Sequence, residues 1–305
     1  MADFLMDFAA GLVSKTIAAA VTFPLERAVT LLKVEGANPG LGAPAKPYAR
    51  GLFGFVDVIR QTNGSLGWRA NYNGVSMAIV APAITTPLTF ALKDSVKRCF
   101  PKINPKTDFL TFTAVNFASG AVAGAVALPV NLATSWPIMR AQADLRPQGT
   151  RLDGFGHFTH MWGSTASATS LSLMARAVPF SIVGIVVYRG AYFGVHDTMV
   201  GLNPFKKDKG LVGLASKFAT AQLSALFSTF LNYPFCVVVD RFVVANWHDT
   251  AHAPPPITTL RECASAAMEG RGIGGLWRGF PSKITTSVAS GLVLLAYGEI
   301  KSALS

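Results

Sequence analysis

Two landmarks in this sequence recur at nearly one spacing. Phe23-Pro24-Leu25-Glu26-Arg27 returns, with its charges altered, as Tyr233-Pro234-Phe235-Cys236, 210 positions later (234 − 24). Trp68-Arg69-Ala70 returns as Trp277-Arg278-Gly279, 209 positions later (277 − 68). A shared offset marks an internal repeat, which restricts the fold to copies of one unit packed together. Half the offset predicts three units in 305 residues, at 1–105, 106–207 and 208–305. Pro24 lies late in a long apolar stretch. A proline there removes one backbone N–H and crowds the preceding turn, and an acid and a base follow where the stretch meets water.

The rest of the chain reads as apolar segments near 5–33, 72–98, 110–142, 174–199, 211–243 and 279–303. Each reaches the roughly 20 residues that a bilayer-crossing helix needs. Charged residues make up 14% and apolar residues 50%, with a mean hydropathy of +0.38. A soluble domain carries about 25% charge, so the expected class is an all-α membrane protein. Lys15, Asn131 and Gln222 interrupt the segments, as in helices packed around a polar interior. Gly120 with Gly124, and Gly190 with Gly194, have the spacing that lets membrane helices approach closely.

The formal charge of +11 implies an anionic partner. Anionic lipid or an anionic solute suits an apolar chain, and no RNP, zinc-finger or basic-helix pattern supports nucleic acid. Cys99, Cys236 and Cys263 are odd in number and scattered, which suits neither a disulfide framework nor a zinc site. His248 with His252, and His157 with His160, lack the acids or cysteines of a metal motif. With no phosphate-binding glycine loop and no nucleophile elbow, neither an enzyme nor a cofactor is expected. The acidic start, Met1 to Asp7, resembles neither a signal nor a transit peptide, so any targeting is expected to be internal.

Between the first two segments lies a Pro/Gly-rich loop at 36–47, then a short helical stretch from Gly51 to Gln61. Matching short stretches fall near 154–162 and 256–268. Each unit thus reads helix, loop, short amphipathic helix, helix. The long loops fall on one side of the membrane and both termini on the other.

Three such units resemble the mitochondrial carrier family, and within it the ADP/ATP carriers. Ala10-Gly11 through Arg27 resembles their first helix. The run from Gly184 to Thr198 resembles the fourth, and Leu92-Lys93-Asp94 and Tyr297-Gly298-Glu299-Ile300-Lys301 resemble the ends of the second and sixth. The resemblance implies a multi-pass protein of the mitochondrial inner membrane with both termini toward the intermembrane space. It also implies a matrix gate, a ring of ion pairs at the odd helices in which a proline is followed two residues on by an acid and three further by a base.

Most of that ring is absent here. Pro24 and Glu26 remain, but Val29 holds the base position. Pro234 remains, but Cys236 and Val239 replace acid and base. In the second unit one register gives Ala133, Ser135 and Ile138, and another gives Pro129, Asn131 and Thr134. Arg27, Arg140 and Arg241 are candidate compensators. The resemblance also implies three consecutive arginines just after Pro234, where this chain reads Val238-Val239-Asp240-Arg241-Phe242.

The implied substrate pocket keeps Gly184, Ile185 and Tyr188, with Arg189 beside them and Asn232 in place of a serine. Its phosphate-binding cations fall on Ala19 and Thr286, and Lys15 lies one turn away. The cytosolic gate keeps Asp94, Lys97, Asp197 and Lys301. The family's cardiolipin sites imply lipid binding at Trp277, Arg278 and Gly279, and at Gly154, with Trp68-Arg69-Ala70 a weakened copy.

A change of substrate explains a changed pocket but not an absent gate, which any substrate needs. The expectation is therefore a transport-impaired carrier that binds adenine nucleotide weakly or not at all. It would serve as a subunit of a large respiratory-chain or ATP synthase assembly, docked through the loops Asn38–Pro47 and Trp247–Pro256. The alternatives are an active carrier of adenine nucleotide or another anion, working by alternating access, and an ordinary exchanger that tolerates these losses.

Overall fold

The computed structural model describes residues 20–81, 98–99, 109–163, 167–205, 208, 210–247 and 258–304, all in helices, turns and loops with no strand among them. The helices are α1 (20–34), α2 (Gly54–Leu66), α3 (75–81), α4 (Phe109–Ala143), α5 (Gly154–Trp162), α6 (Ser167–Leu202), α7 (Leu211–Ala245), α8 (Leu260–Met268) and α9 (Phe280–Leu304). At ~1.5 Å per residue, α4, α6 and α7 are each about 50 Å long, more than a ~30 Å hydrocarbon layer requires. Their apolar residues fall on every side, as in helices surrounded by lipid and other helices. Ala168–Tyr192 and Val212–Ala245 have the length and hydropathy, 1.8 and 1.4, to cross a membrane.

The short helices are amphipathic, and α5 and α8 carry side-chain caps. Asp153 accepts the Gly156 N–H at 2.7 Å to start α5. Thr259 and Glu262 exchange hydrogen bonds in a capping box that starts α8. Glycine turns set the bounds of α2. α2 begins at Gly54 rather than Gly51, because Gly51 turns at φ 102°, and it runs on to Leu66 before Gly67 at φ 78°.

The chain divides into two compact units. One comprises Ile84–Leu132 and Met174–Cys236. Within it, Asn203 beyond α6 accepts from Ser216 of α7 at 2.8 Å, and Ser224 and Ser228 bond back to carbonyls one turn earlier. The other comprises Met1–Ala83, Ala133–Leu173 and Val237–Ser305, and it holds the loop-bearing ends of α1, α4 and α7 with the three short helices. Leu31, Leu32 and Ala28 of α1 pack there against Tyr48 and against Val58 of α2.

The distance from proline to helix end settles the register of the second unit. It is 10 residues in α1 (34 − 24) and 11 in α7 (245 − 234). Counting from Ala133 gives 10 in α4 (143 − 133), whereas Pro129 gives 14. The register of Ala133, Ser135 and Ile138 is therefore the structural one.

One sequence equivalence is corrected. Trp277-Arg278-Gly279 leads directly into α9, but Trp68-Arg69-Ala70 lies inside a 3₁₀ turn, Trp68–Tyr72. The residues leading into α3 are Tyr72-Asn73-Gly74, 205 positions earlier (277 − 72), and Gly74 has φ 94° as Gly279 has 79°. The residues between α2 and α3 displace the start of the second transmembrane segment, so matching tryptophans misled.

The first loop is engaged inside the protein. Leu41 is buried, and its carbonyl accepts the Leu145 N–H at 2.8 Å. The Asn38 amide donates to the Val244 and Trp247 carbonyls at 2.8 and 2.9 Å, tying the loop to the end of α7. Asn38→Ala leaves both carbonyls without that donor and is expected to cost about 1–3 kcal/mol. The exposed Lys46→Ala should stay within about 0.5 kcal/mol. Thermal unfolding in detergent measures both.

Candidate functional site

The position of the expected matrix gate is built from apolar side chains and buried arginines. At the three base positions Val29 and Val239 are buried and Ile138 is half-buried. At the acid positions Glu26 and Ser135 are exposed and Cys236 is half-buried, while Pro24 and Pro234 are continuous with α1 and α7. The helix ends are joined by other bonds. Arg241, 5% exposed, donates to the Lys33 and Glu35 carbonyls at 3.1 Å each, satisfying the C-terminal end of α1. Arg27, 1% exposed, donates to the Asp144 carbonyl at 3.0 Å, just past α4. Thr30 donates to the Gln142 side chain at 2.8 Å, and Lys33 pairs with Asp240 at 2.9 Å.

The third seam carries a packed knot. Trp247, past α7, meets Arg146 with the guanidinium carbon 4.6 Å from its ring centroid, a cation–π contact. The His157 and His160 rings lie 5.7 and 5.8 Å from the same ring. Asp144, wholly buried, accepts from Arg146 at 2.7–3.2 Å, and the His157 Nε2 lies 3.4 Å away. Burial alone would raise the Asp144 carboxyl. The nearby His157 ring and the hydrogen bonds from Arg146 outweigh it and hold the group at about 2. Burial lowers His157 despite Asp144, and Arg140 and Arg146 add to that. Sequence reading treated these histidines only as metal candidates. Among the described residues no group of three metal-binding side chains exists.

A cleft of about 410 Å³ opens where Gly51 meets the start of α9. Arg50, Arg271 and Arg278 line it with Glu35. Gly279 and Gly51, both at positive φ, expose backbone there, and Ser282 donates to the Gly51 carbonyl at 2.9 Å. Trp277, Arg278 and Gly279 line this cleft, and Arg50, Arg271 and Glu35 join them. The only sequence signal for the new members was a basic residue before Gly51. Gly154 occupies a tighter place. A side chain there would stand 2.6 Å from the Met77 Cβ, and Gly74 backs it at 3.2 Å.

In the other unit Gly184 lies beneath Asn232, and a Cβ at 184 would fall 2.5 Å from the Asn232 oxygen. The Asn232 amide points at the Cys236 sulfur, 3.4 Å away. Tyr188, Tyr192 and His196 form a stacked ladder along α6, with centroids 6.1 and 5.4 Å apart. Ile185 and Arg189 are half-buried on the same helix. Lys15, Asp94, Lys97 and the side chains of Asp197 and Lys301 lie outside the described residues.

Long apolar helices in repeated pairs, each pair bridged by a short helix, define a multi-pass membrane carrier. The chain belongs to the mitochondrial carrier family, whose model, described as mitochondrial carrier protein, matches residues 2–104 and 211–305. It has the six-helix, three-repeat carrier fold of that family of transporters. Among relatives, it is 30% identical to an ADP,ATP carrier protein of Parachlorella kessleri, over 98% of this chain and 84% of that one. It is 28% identical to ADP/ATP translocase 4 of Bos taurus, over 99% and 90%, and to ADP/ATP translocase 3 of Homo sapiens, over 98% and 97%. The chain is ADP/ATP carrier-like along almost its whole length.

The knot gives a pH prediction. Unfolded histidine takes up a proton near pH 6.5, and buried His157 resists it, so its contribution to stability falls as pH drops below about 6.5. The Asp144 contribution is complete above its unfolded value of 3.8 and is lost only as pH falls through about 2. The thermal midpoint should fall between pH 7 and 5, and His157→Gln should flatten that slope.

Proposed function

We propose that this ADP/ATP-carrier-like protein resides in the mitochondrial inner membrane, with both termini toward the intermembrane space, and exchanges nucleotide poorly or not at all. It serves as a structural or accessory subunit of a large respiratory-chain or ATP synthase assembly. The observation that carries the reading is the replacement of the ion-pair ring. Alternating access needs contacts at this end that form and break as a set. Apolar Val29, Ile138 and Val239, with buried guanidinium-to-carbonyl bonds from Arg27 and Arg241, instead favour a lasting closure. Opening such an end would strip buried guanidiniums of their partners, at about 1.5–3 kcal/mol for each charged hydrogen bond.

Two features support lipid contact through the cleft. Arg50, Arg271 and Arg278 supply positive charge, and the glycines at 51 and 279 give close approach to backbone. Cardiolipin is the structural lipid this arrangement suits. A second reading, an active carrier of a changed anion, is favoured by the Gly184–Asn232 seat, where asparagine replaces the serine, by the tyrosine ladder, and by the Lys33–Asp240 pair as a residual gate.

Reconstitution beside an authentic carrier tests the transport half. The expected outcome is no saturable ADP/ATP exchange. Val29→Lys should not restore it, since the change buries a cation in one helix and leaves the others unpaired. Exchange near the authentic rate, in either protein, rejects the reading. Native gels of digitonin extracts test the subunit half. Co-migration with a large complex is expected, and a free species at every detergent level would favour the changed-anion carrier.

A further inference from the structure

We infer that Glu35 sets how much negative charge a ligand of the cleft must bring, which rests on the lipid reading of that cleft. Among the residues lining it, Glu35 is the one carboxylate facing three guanidiniums, Arg50, Arg271 and Arg278. It is fixed in place at three atoms. One carboxylate oxygen accepts the Tyr48 N–H at 3.1 Å, the other accepts from Arg278, and its backbone carbonyl accepts from Arg241 at 3.1 Å. The pair with Arg278 is mostly shielded from water, at 13% and 14% side-chain exposure, so the charge is felt strongly nearby.

The sum of charge is then three cations less one carboxylate, or +2. A ligand with two phosphates neutralises the cleft, and a ligand with one leaves a cation uncompensated. Glu35 therefore acts as a resident anion that occupies Arg278 and leaves Arg50 and Arg271 for the two phosphates. Leu32, Trp277 and Pro281 form apolar walls beside them. Such walls suit the glycerol and acyl part of a diphosphatidyl lipid better than a bare diphosphate.

Native mass spectrometry of the full chain tests this, with cardiolipin and phosphatidylglycerol as probes. The unaltered protein should retain cardiolipin preferentially. Glu35→Gln keeps a side chain that can accept from Tyr48 but raises the cleft to +3, so retention of both lipids should rise and the preference for the dianionic cardiolipin should widen by about tenfold. Arg278→Gln works from the other side, lowers the cleft to +1 and should shift preference to phosphatidylglycerol. It also serves if Glu35→Gln fails to fold. An unchanged preference in the folded variant overturns the inference. If Arg50→Gln with Arg271→Gln still weakens cardiolipin, the lipid reading survives that result. If that double variant retains cardiolipin fully, the lipid reading fails and takes the inference with it. Inorganic pyrophosphate added to delipidated protein separates the sources. A thermal shift matching that of cardiolipin would assign the cleft to a soluble diphosphate and overturn the lipid assignment.

Discussion

The loop-bearing unit depends on arginines that reach across to the ends of neighbouring helices. A helix leaves its last carbonyls without partners, and in an apolar surrounding those carbonyls need donors. Arg241 serves the end of α1, and Arg27 serves the residue after α4. A guanidinium suits this task because it stays charged and carries several N–H groups at fixed angles. Because the acceptors are backbone atoms, the bonds need no acidic side chain. This is how a carrier-like bundle can be joined at this end after most of its acid and base positions have become neutral.

The neutral positions and the new bonds belong together. A cation at position 29 or 239 would sit where valine is now nearly free of solvent. Such a charge is tolerable only if paired, and the second and third units offer serine and cysteine where acids would stand. Lys33 and Asp240 show the same preference for pairing, with the ion pair moved toward the helix ends. The knot around Trp247 adds aromatic and cation–π packing between the residues after α7 and those after α4.

Helices were the most legible part of the sequence. The segments expected near 110–142, 211–243 and 279–303 match α4, α7 and α9 within two residues at each end, because apolar runs of that length have no other stable form in lipid. α5 was placed residue for residue, with Asp153 and Gly163 as its bounds. α6 starts seven residues before the expected 174, since Ser167 to Leu173 is polar enough to mask the helix. The lead into α3 is Tyr72-Asn73-Gly74 rather than Trp68-Arg69-Ala70, because a tryptophan–arginine pair recurs without holding the same structural position. The family model matches the first and third units, and the second is where α4 carries neither the acid nor the base of its motif. Side-chain partners were mostly illegible. Nothing in one dimension says that Arg241 meets the end of α1, 206 and 208 positions away, or that Glu35 meets Arg278 at a separation of 243. Glycines gave partial notice, since Gly279 and Gly184 mark places where backbone or a neighbour approaches closely.

The loop at Asn38 has a consequence for how the chain is assembled. Its amide bonds lie 206 and 209 residues from their acceptors, Val244 and Trp247. Contacts so distant in sequence cannot form while the chain is still emerging, and they are gained only after the intervening helices are in place. The loop must therefore wait, with Leu41 uncovered, until α4 and α7 have both been inserted. Its closure is a late event that registers completion of all three repeats, and until then the nascent protein presents an apolar segment that a chaperone or a protease can recognise.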